Sequence, residues 1–114
     1  MWKLSTTTET PAPANRRKKL KPVHPGEILR EEFLTPLSLT PYALAQAANV
    51  PRTRIERLVR EETPVTADTA LRLERVLGVD AAFWTNLQSA YDLRMAELES
   101  GAEYRALKRL VRAT

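Results

Sequence analysis

The nine residues from Arg52 to Arg60 read RTRIERLVR. Helical spacing places Ile55, Leu58 and Val59 on one side of a short helix, with four arginines around the rest. Such a helix packs inward on its apolar stripe and offers cations outward. On its own the pattern is ambiguous, because arginines also serve simply to solvate an exposed face. The preceding residues narrow the reading. Thr40 suits an N-cap and Pro41 the first position of a helix. Leu44, Ala45 and Ala48 then face inward, and the small Ala45 lets a crossing helix approach closely. Asn49 suits a left-handed turn residue, and Val50 fills the space before the next helix, expected from about Pro51 to Arg60. Two helices joined this tightly, the second one basic, read as a helix-turn-helix whose second helix enters a DNA major groove.

Further helices are expected on either side. Pro25 to Leu34 forms a first helix with Ile28, Leu29 and Phe33 as its inner stripe, closed by Pro36. A fourth is capped by Thr66, carries Asp68 in its first turn and packs through Ala70, Leu73, Val76 and Leu77. Gly78 stands where a helix-ending glycine belongs, with Val79 after it. Asp80 caps a fifth helix whose apolar face holds Phe83, Trp84, Leu87 and Tyr91. A last amphipathic piece, about Ala102 to Val111, sets Tyr104, Leu107, Leu110 and Val111 near one face. The fold class is therefore all-α, about five helices with a C-terminal helical extension. Neither a strand pattern nor an internal repeat competes.

The expected division is an arm over residues 1–23, a domain over 24–95 and an extension over 96–114. The arm is expected to be disordered, since its Thr- and Pro-rich start supplies no apolar face. It holds six Lys/Arg and one Glu, a net of +5, whereas residues 24–114 hold twelve against thirteen, a net of −1. The overall charge of +4 thus says little about a DNA-binding domain. Local charge says more: Arg52 to Arg60 carries four Arg and one Glu. The cluster Arg16, Arg17, Lys18, Lys19 and Lys21 fits a solubilising tail, attraction to phosphates, or docking on an acidic partner.

At 114 residues there is room for one small core, and dimerisation is a natural way to bury more surface. There is no cysteine and one histidine, His24, so disulfides, thiolate chemistry and a histidine metal cluster fall away. No apolar run is long enough to span a membrane, and the N-terminus lacks a signal-peptide core, so a cytoplasmic protein is the default. No cofactor, metal or small-molecule substrate is expected. His24 beside Pro25-Gly26 reads as a structural turn, and the adjacent Glu31 and Glu32 point different ways on a helix. An enzyme is not the expectation.

Within the basic helix, Arg52, Thr53 and Arg54 lie at the start, nearest to base edges, and Arg57 follows one turn later. Arginine pairs with the O6 and N7 atoms of guanine, while Thr53 offers a hydroxyl or a methyl group. Arg60, at the far end, suits a phosphate. One such module touches few base pairs, so two copies on a near-palindromic site are expected. Trp84, Leu87, Tyr91 and Leu107 are the expected dimer contacts, being too many apolar groups for so small a core.

Several stretches taken together resemble the HigA-type antitoxins of the Xre/Cro-like helix-turn-helix group. They are His24-Pro25-Gly26-Glu27, the region from Leu44-Ala45 through Leu58, Val65 to Leu73, Phe83 to Gln88, and Tyr91-Asp92-Leu93. The resemblance covers about residues 24–95 and implies a lambda-repressor-like domain that dimerises through C-terminal helices. It further implies a RelE-like messenger-RNA endoribonuclease toxin as partner, neutralised in a stable complex, and repression of the shared operon. On that analogy Arg52, Thr53, Arg54 and Arg57 read the operator. Pro51 stands where the group often has a small hydroxyl residue, and Pro41 where many have a phosphate-clamping glutamine. Glu61 and Glu62 are expected to turn away from DNA. Relatives bind toxin either through a flexible segment or through the folded domain. Here the candidates are residues 1–23 and the exposed side of helix 1, with Arg30, Glu31 and Glu32. Basic toxins suit the second better. A stand-alone repressor without a toxin, or an adaptor making protein contacts alone, are the competing readings.

Overall fold

The helical periods become five helices over residues 22–111, the part of the chain that the computed structural model describes. Helix α1 starts with Pro25–Ile28, widens into a π-helical stretch at Leu29–Leu34 and finishes with a turn at Thr35–Leu37. Helix α2 covers Pro41–Ala48, α3 Arg52–Val59, α4 Ala67–Leu77 and α5 Ala81–Arg105. The expectations for the arm through Lys21 lie outside the described residues.

Local chemistry sets most of the boundaries. Thr40 Oγ1 accepts from the Ala43 N–H at 3.0 Å, and Thr66 Oγ1 accepts from that of Thr69 at 3.2 Å. Asp80 caps α5 by accepting from Ala82. Such oxygens satisfy N–H groups that have no carbonyl partner in the first turn. Asn49 ends α2 at φ 58° and Gly78 ends α4 at φ 78°, both left-handed as expected. His24 caps α1: its Nδ1 accepts from the Gly26 N–H at 2.9 Å, and its ring meets the Tyr91 ring at 4.8 Å.

Each helix contributes to one core. Leu29, Leu44, Ile55, Leu58, Leu73 and Trp84 are essentially inaccessible and come from all five helices. Ile28, Phe33, Val50, Val76 and Leu87 pack around them. Trp84 lies between Phe33 and Phe83, with ring centroids 5.2 and 5.0 Å away. It is a core residue, not the surface contact expected from its apolar neighbourhood. The core proves large enough to enclose an indole, which leaves nothing of it for a second copy to touch.

Two helix ends differ from expectation. Pro36 does not close α1 at Leu34; the helix continues to Leu37 and stops at Ser38, which has φ 55°. In an α-helix a proline ring clashes with the carbonyl four residues back. The wider π register just before Pro36, with the Thr35 N–H bonded to Arg30 O, relieves that clash. At the other end, no separate helix covers Ala102 to Val111. Helix α5 runs through residue 95, kinks at Ser100 and ends at Arg105. The Leu107 N–H turns back to the Tyr104 carbonyl at 3.1 Å, a three-residue step that tightens the last turn. Beyond it Leu107, Leu110 and Val111 are exposed and meet no core that would hold them in a helix.

Candidate nucleic-acid interface

Helix α3 buries Ile55, Leu58 and Val59 and leaves Arg52, Thr53, Arg54, Arg57 and Arg60 exposed. The five residues singled out for DNA contact are therefore all exposed, and Thr53, Arg54 and Arg57 border one cleft. This open cleft has a volume of about 460 Å³. Thr53, Arg54 and Arg57 of α3 line it together with Thr63, Pro64, the cap residue Thr66 and Asp68 of α4. Pro51 supplies no side-chain cap to α3, but its carbonyl accepts from the Arg54 N–H at 3.0 Å and starts the helix.

The arginines are not equally placed. Arg52 Nε sits 3.3 Å from Glu56 Oε2, one turn later, and its guanidinium lies 5.9 Å from the centre of the Tyr42 ring on α2. Arg54 Nη1 donates to Asp68 Oδ2 across the cleft. The same carboxylate oxygen accepts from Arg72 Nε at 2.9 Å, and Arg72 Nη1 donates to Ala48 O, also at 2.9 Å. A chain of polar contacts thus ties the turn between α2 and α3 to Arg54 through α4. Arg57 and Arg60 make no ion pair among the described residues. The spacing of Asp68 and Arg72 is an i,i+4 pair visible in the sequence. Its reach to Arg54, fourteen residues away, is not.

The Arg72 guanidinium, and then that of Arg54, hold the Asp68 carboxyl below the usual carboxylate value. A lowered folded-state value means that this pairing stabilises the fold above the unfolded-state value and is lost as pH falls through the lowered one. Melting temperatures followed from neutral to acid pH should accordingly fall less steeply for Asp68→Asn than for the unaltered chain. Identical acid limbs would show that the pair adds nothing measurable, as for many exposed pairs.

Arg30, one of the candidates for toxin contact, pairs with Glu31 at 3.0 Å and also reaches the end of α3. Its Nη1 donates to the Val59 carbonyl at the end of α3, and its Nη2 lies 3.3 Å from Glu61 Oε2. The guanidinium closes the C-terminus of the basic helix, where carbonyls lack partners and a cation is favoured. Glu31 and Glu32 remain exposed on α1. Glu61 pairs with Arg30. Of the other expected dimer contacts, Leu87 is half-buried against the core, Tyr91 packs on His24, and Leu107 is exposed. No group of His, Cys, Asp and Glu among the described residues could hold a metal ion. Nor is any helix there long and apolar enough to cross a membrane.

Five helices around a tight α2–α3 turn, with a basic and exposed α3, define a helix-turn-helix protein, and the helix-turn-helix family pattern matches residues 29–84. Virulence-associated protein I of Dichelobacter nodosus is 54% identical over 81 residues, which are 71% of this chain and 75% of that protein. Antitoxin HigA-1 of Vibrio cholerae is 41% identical over 78 residues, 68% of this chain and 73% of that one. The solved structure of Pseudomonas aeruginosa antitoxin HigA with the higBA promoter superposes with a TM-score of 0.75. It is 42% identical and covers 79% of this chain and 99% of its own. The chain belongs to the HigA-type antitoxin family of Xre/Cro-like helix-turn-helix proteins.

Proposed function

We propose that this chain is a cytoplasmic antitoxin that represses its own operon and neutralises a RelE-like endoribonuclease toxin. The DNA half rests on one observation: Arg52, Arg54 and Arg57 stand exposed on the second helix of the motif, in a fold shared with a promoter-bound relative. With α3 in the major groove, Arg54 and Arg57 reach base edges near its start, and Arg60 reaches a phosphate. Two copies are needed for useful specificity. Leu93 and Leu98, apolar and exposed on α5, suit the contact between them.

The toxin half rests on the family and on charge. RelE-like toxins handle RNA and are commonly basic, and exposed Glu31 and Glu32 offer such a partner carboxylates on α1. Arg30 pairs with Glu31 at 3.0 Å and borders that surface while also holding the end of α3.

The test is titration of the full chain onto a labelled duplex of the promoter just upstream of its own coding sequence. The double variant Arg54→Ala and Arg57→Ala should weaken binding by about a hundredfold, each lost guanine pair removing about 1 to 3 kcal/mol. Undiminished binding by that variant would refute base reading by α3. Co-expression with the adjacent small gene tests the second half. Arrested growth rescued by this chain, with co-purification, supports an antitoxin; a harmless neighbour that forms no complex favours a stand-alone repressor.

A further inference from the structure

We propose that Asp68 is a positioning residue that fixes Arg54 for contact with a base edge and so sets the ratio of specific to nonspecific DNA binding. The inference rests on the reading of α3 as a DNA-recognition helix and adds a residue outside that helix to its specificity.

The geometry assigns Asp68 this role in three steps. Its Oδ2 accepts from Arg54 Nη1, which holds a long, flexible side chain in one orientation before any partner arrives. The carboxylate is itself anchored, because Arg72 donates to it at 2.9 Å and to the carbonyls of Ala48 and Asn49 at 2.9 and 3.4 Å. Those two carbonyls belong to the α2–α3 turn, so the orientation of Arg54 is referred to the motif that sets the helix on DNA.

A guanidinium has five N–H donors, and Asp68 occupies one of them. The remaining donors still include a pair able to meet O6 and N7 of one guanine. Meeting a phosphate is different. Swinging to the backbone breaks the pair with Asp68 and leaves its carboxylate, held by Arg72 alone, one cation poorer near a phosphate, which is unfavourable. Asp68 is half-exposed and lies in the cleft wall beside Arg54, so its charge is felt there. The carboxylate therefore favours Arg54 on bases over Arg54 on phosphates. Arg60, at the far end of α3 and without such a pair among the described residues, is left to supply the part of binding that ignores sequence.

The experiment compares the full chain with Asp68→Asn, Arg54→Ala and the double variant. Each is titrated onto the upstream promoter duplex and onto a shuffled duplex of equal length, at several salt concentrations. Asp68→Asn is expected to bind the shuffled duplex several-fold more tightly and to lower the promoter-to-shuffled ratio about tenfold. In the Arg54→Ala background the same change should leave that ratio where it is, because Asp68 acts through Arg54. Circular dichroism melts of each variant separate this from loss of fold, and a general loss of structure would lower both affinities together. An unchanged ratio in Asp68→Asn, or an equal drop with and without Arg54, would overturn the role of Asp68 while leaving DNA recognition by α3 intact. Failure of the unaltered chain to prefer its promoter would overturn both.

Discussion

Gly26→Ala should lower the stability of the fold by about 3 kcal/mol, the upper end of what overpacking usually costs. A Cβ built at Gly26 falls 1.8 Å from the carbonyl oxygen of Leu58. That atom is backbone and lies at the end of α3, so no rotamer change can make room. Either α1 lifts away from α3 or the last turn of α3 unwinds. Both routes also disturb Arg30, whose grip on the Val59 carbonyl depends on α1 lying against α3. Thermal unfolding should show a melting temperature lower by roughly 10 °C or more, with promoter binding lost in step. His24→Ala provides the comparison. It removes the Nδ1 cap at the same helix start, worth about 1 kcal/mol, and the buried ring's packing on Tyr91, without intruding on α3. If Gly26→Ala melts like the unaltered chain, the glycine is not what lets α1 and α3 meet.

This requirement explains why the stretch His24-Pro25-Gly26-Glu27 carried information, and it marks what the sequence could show. Signals acting within a turn or two were legible. Thr40, Thr66 and Asp80 cap as their chemistry demands, Asn49 and Gly78 take left-handed backbone, and the stripe Ile55, Leu58, Val59 is buried. The exposed arginines of α3 were legible for the same reason, since one period settles both faces of a helix. Contacts between helices were not. Nothing local indicates that Arg30 reaches Val59, 29 residues on, or that Asp68 reaches back to Arg54. The π register over Leu29–Leu34 was equally hidden, because the usual rule for proline assumes an α-helix before it. At the far end, the pattern of Tyr104, Leu107 and Leu110 suggested a helix, but periodicity holds a short segment only when something packs against its apolar face.

Trp84 is where the apolar count misled, and its replacement should have the second large effect. An aromatic side chain enclosed by the protein's own helices carries core stability; one at a dimer contact carries association. Trp84 is wholly buried in the single chain, between Phe33 and Phe83. Trp84→Ala should therefore lower stability by about 3 to 5 kcal/mol through lost burial and the cavity left behind. In a domain this small the melting temperature should fall by roughly 15 °C or more. Trp84→Phe separates the ring from its polar edge. The indole Nε1 is buried with no hydrogen-bond partner among the described residues, and an unmet donor costs about 1 to 3 kcal/mol. Phenylalanine removes that penalty while leaving a smaller void, so the two changes oppose each other and the net loss should stay below about 1.5 kcal/mol. Sedimentation run beside the melts decides between the two roles. A fall in melting temperature at constant oligomeric state places Trp84 in the core's energetics. A shift to monomer with little change in the melt would return it to the dimer contact, and would mean that the helices around it part when two copies meet.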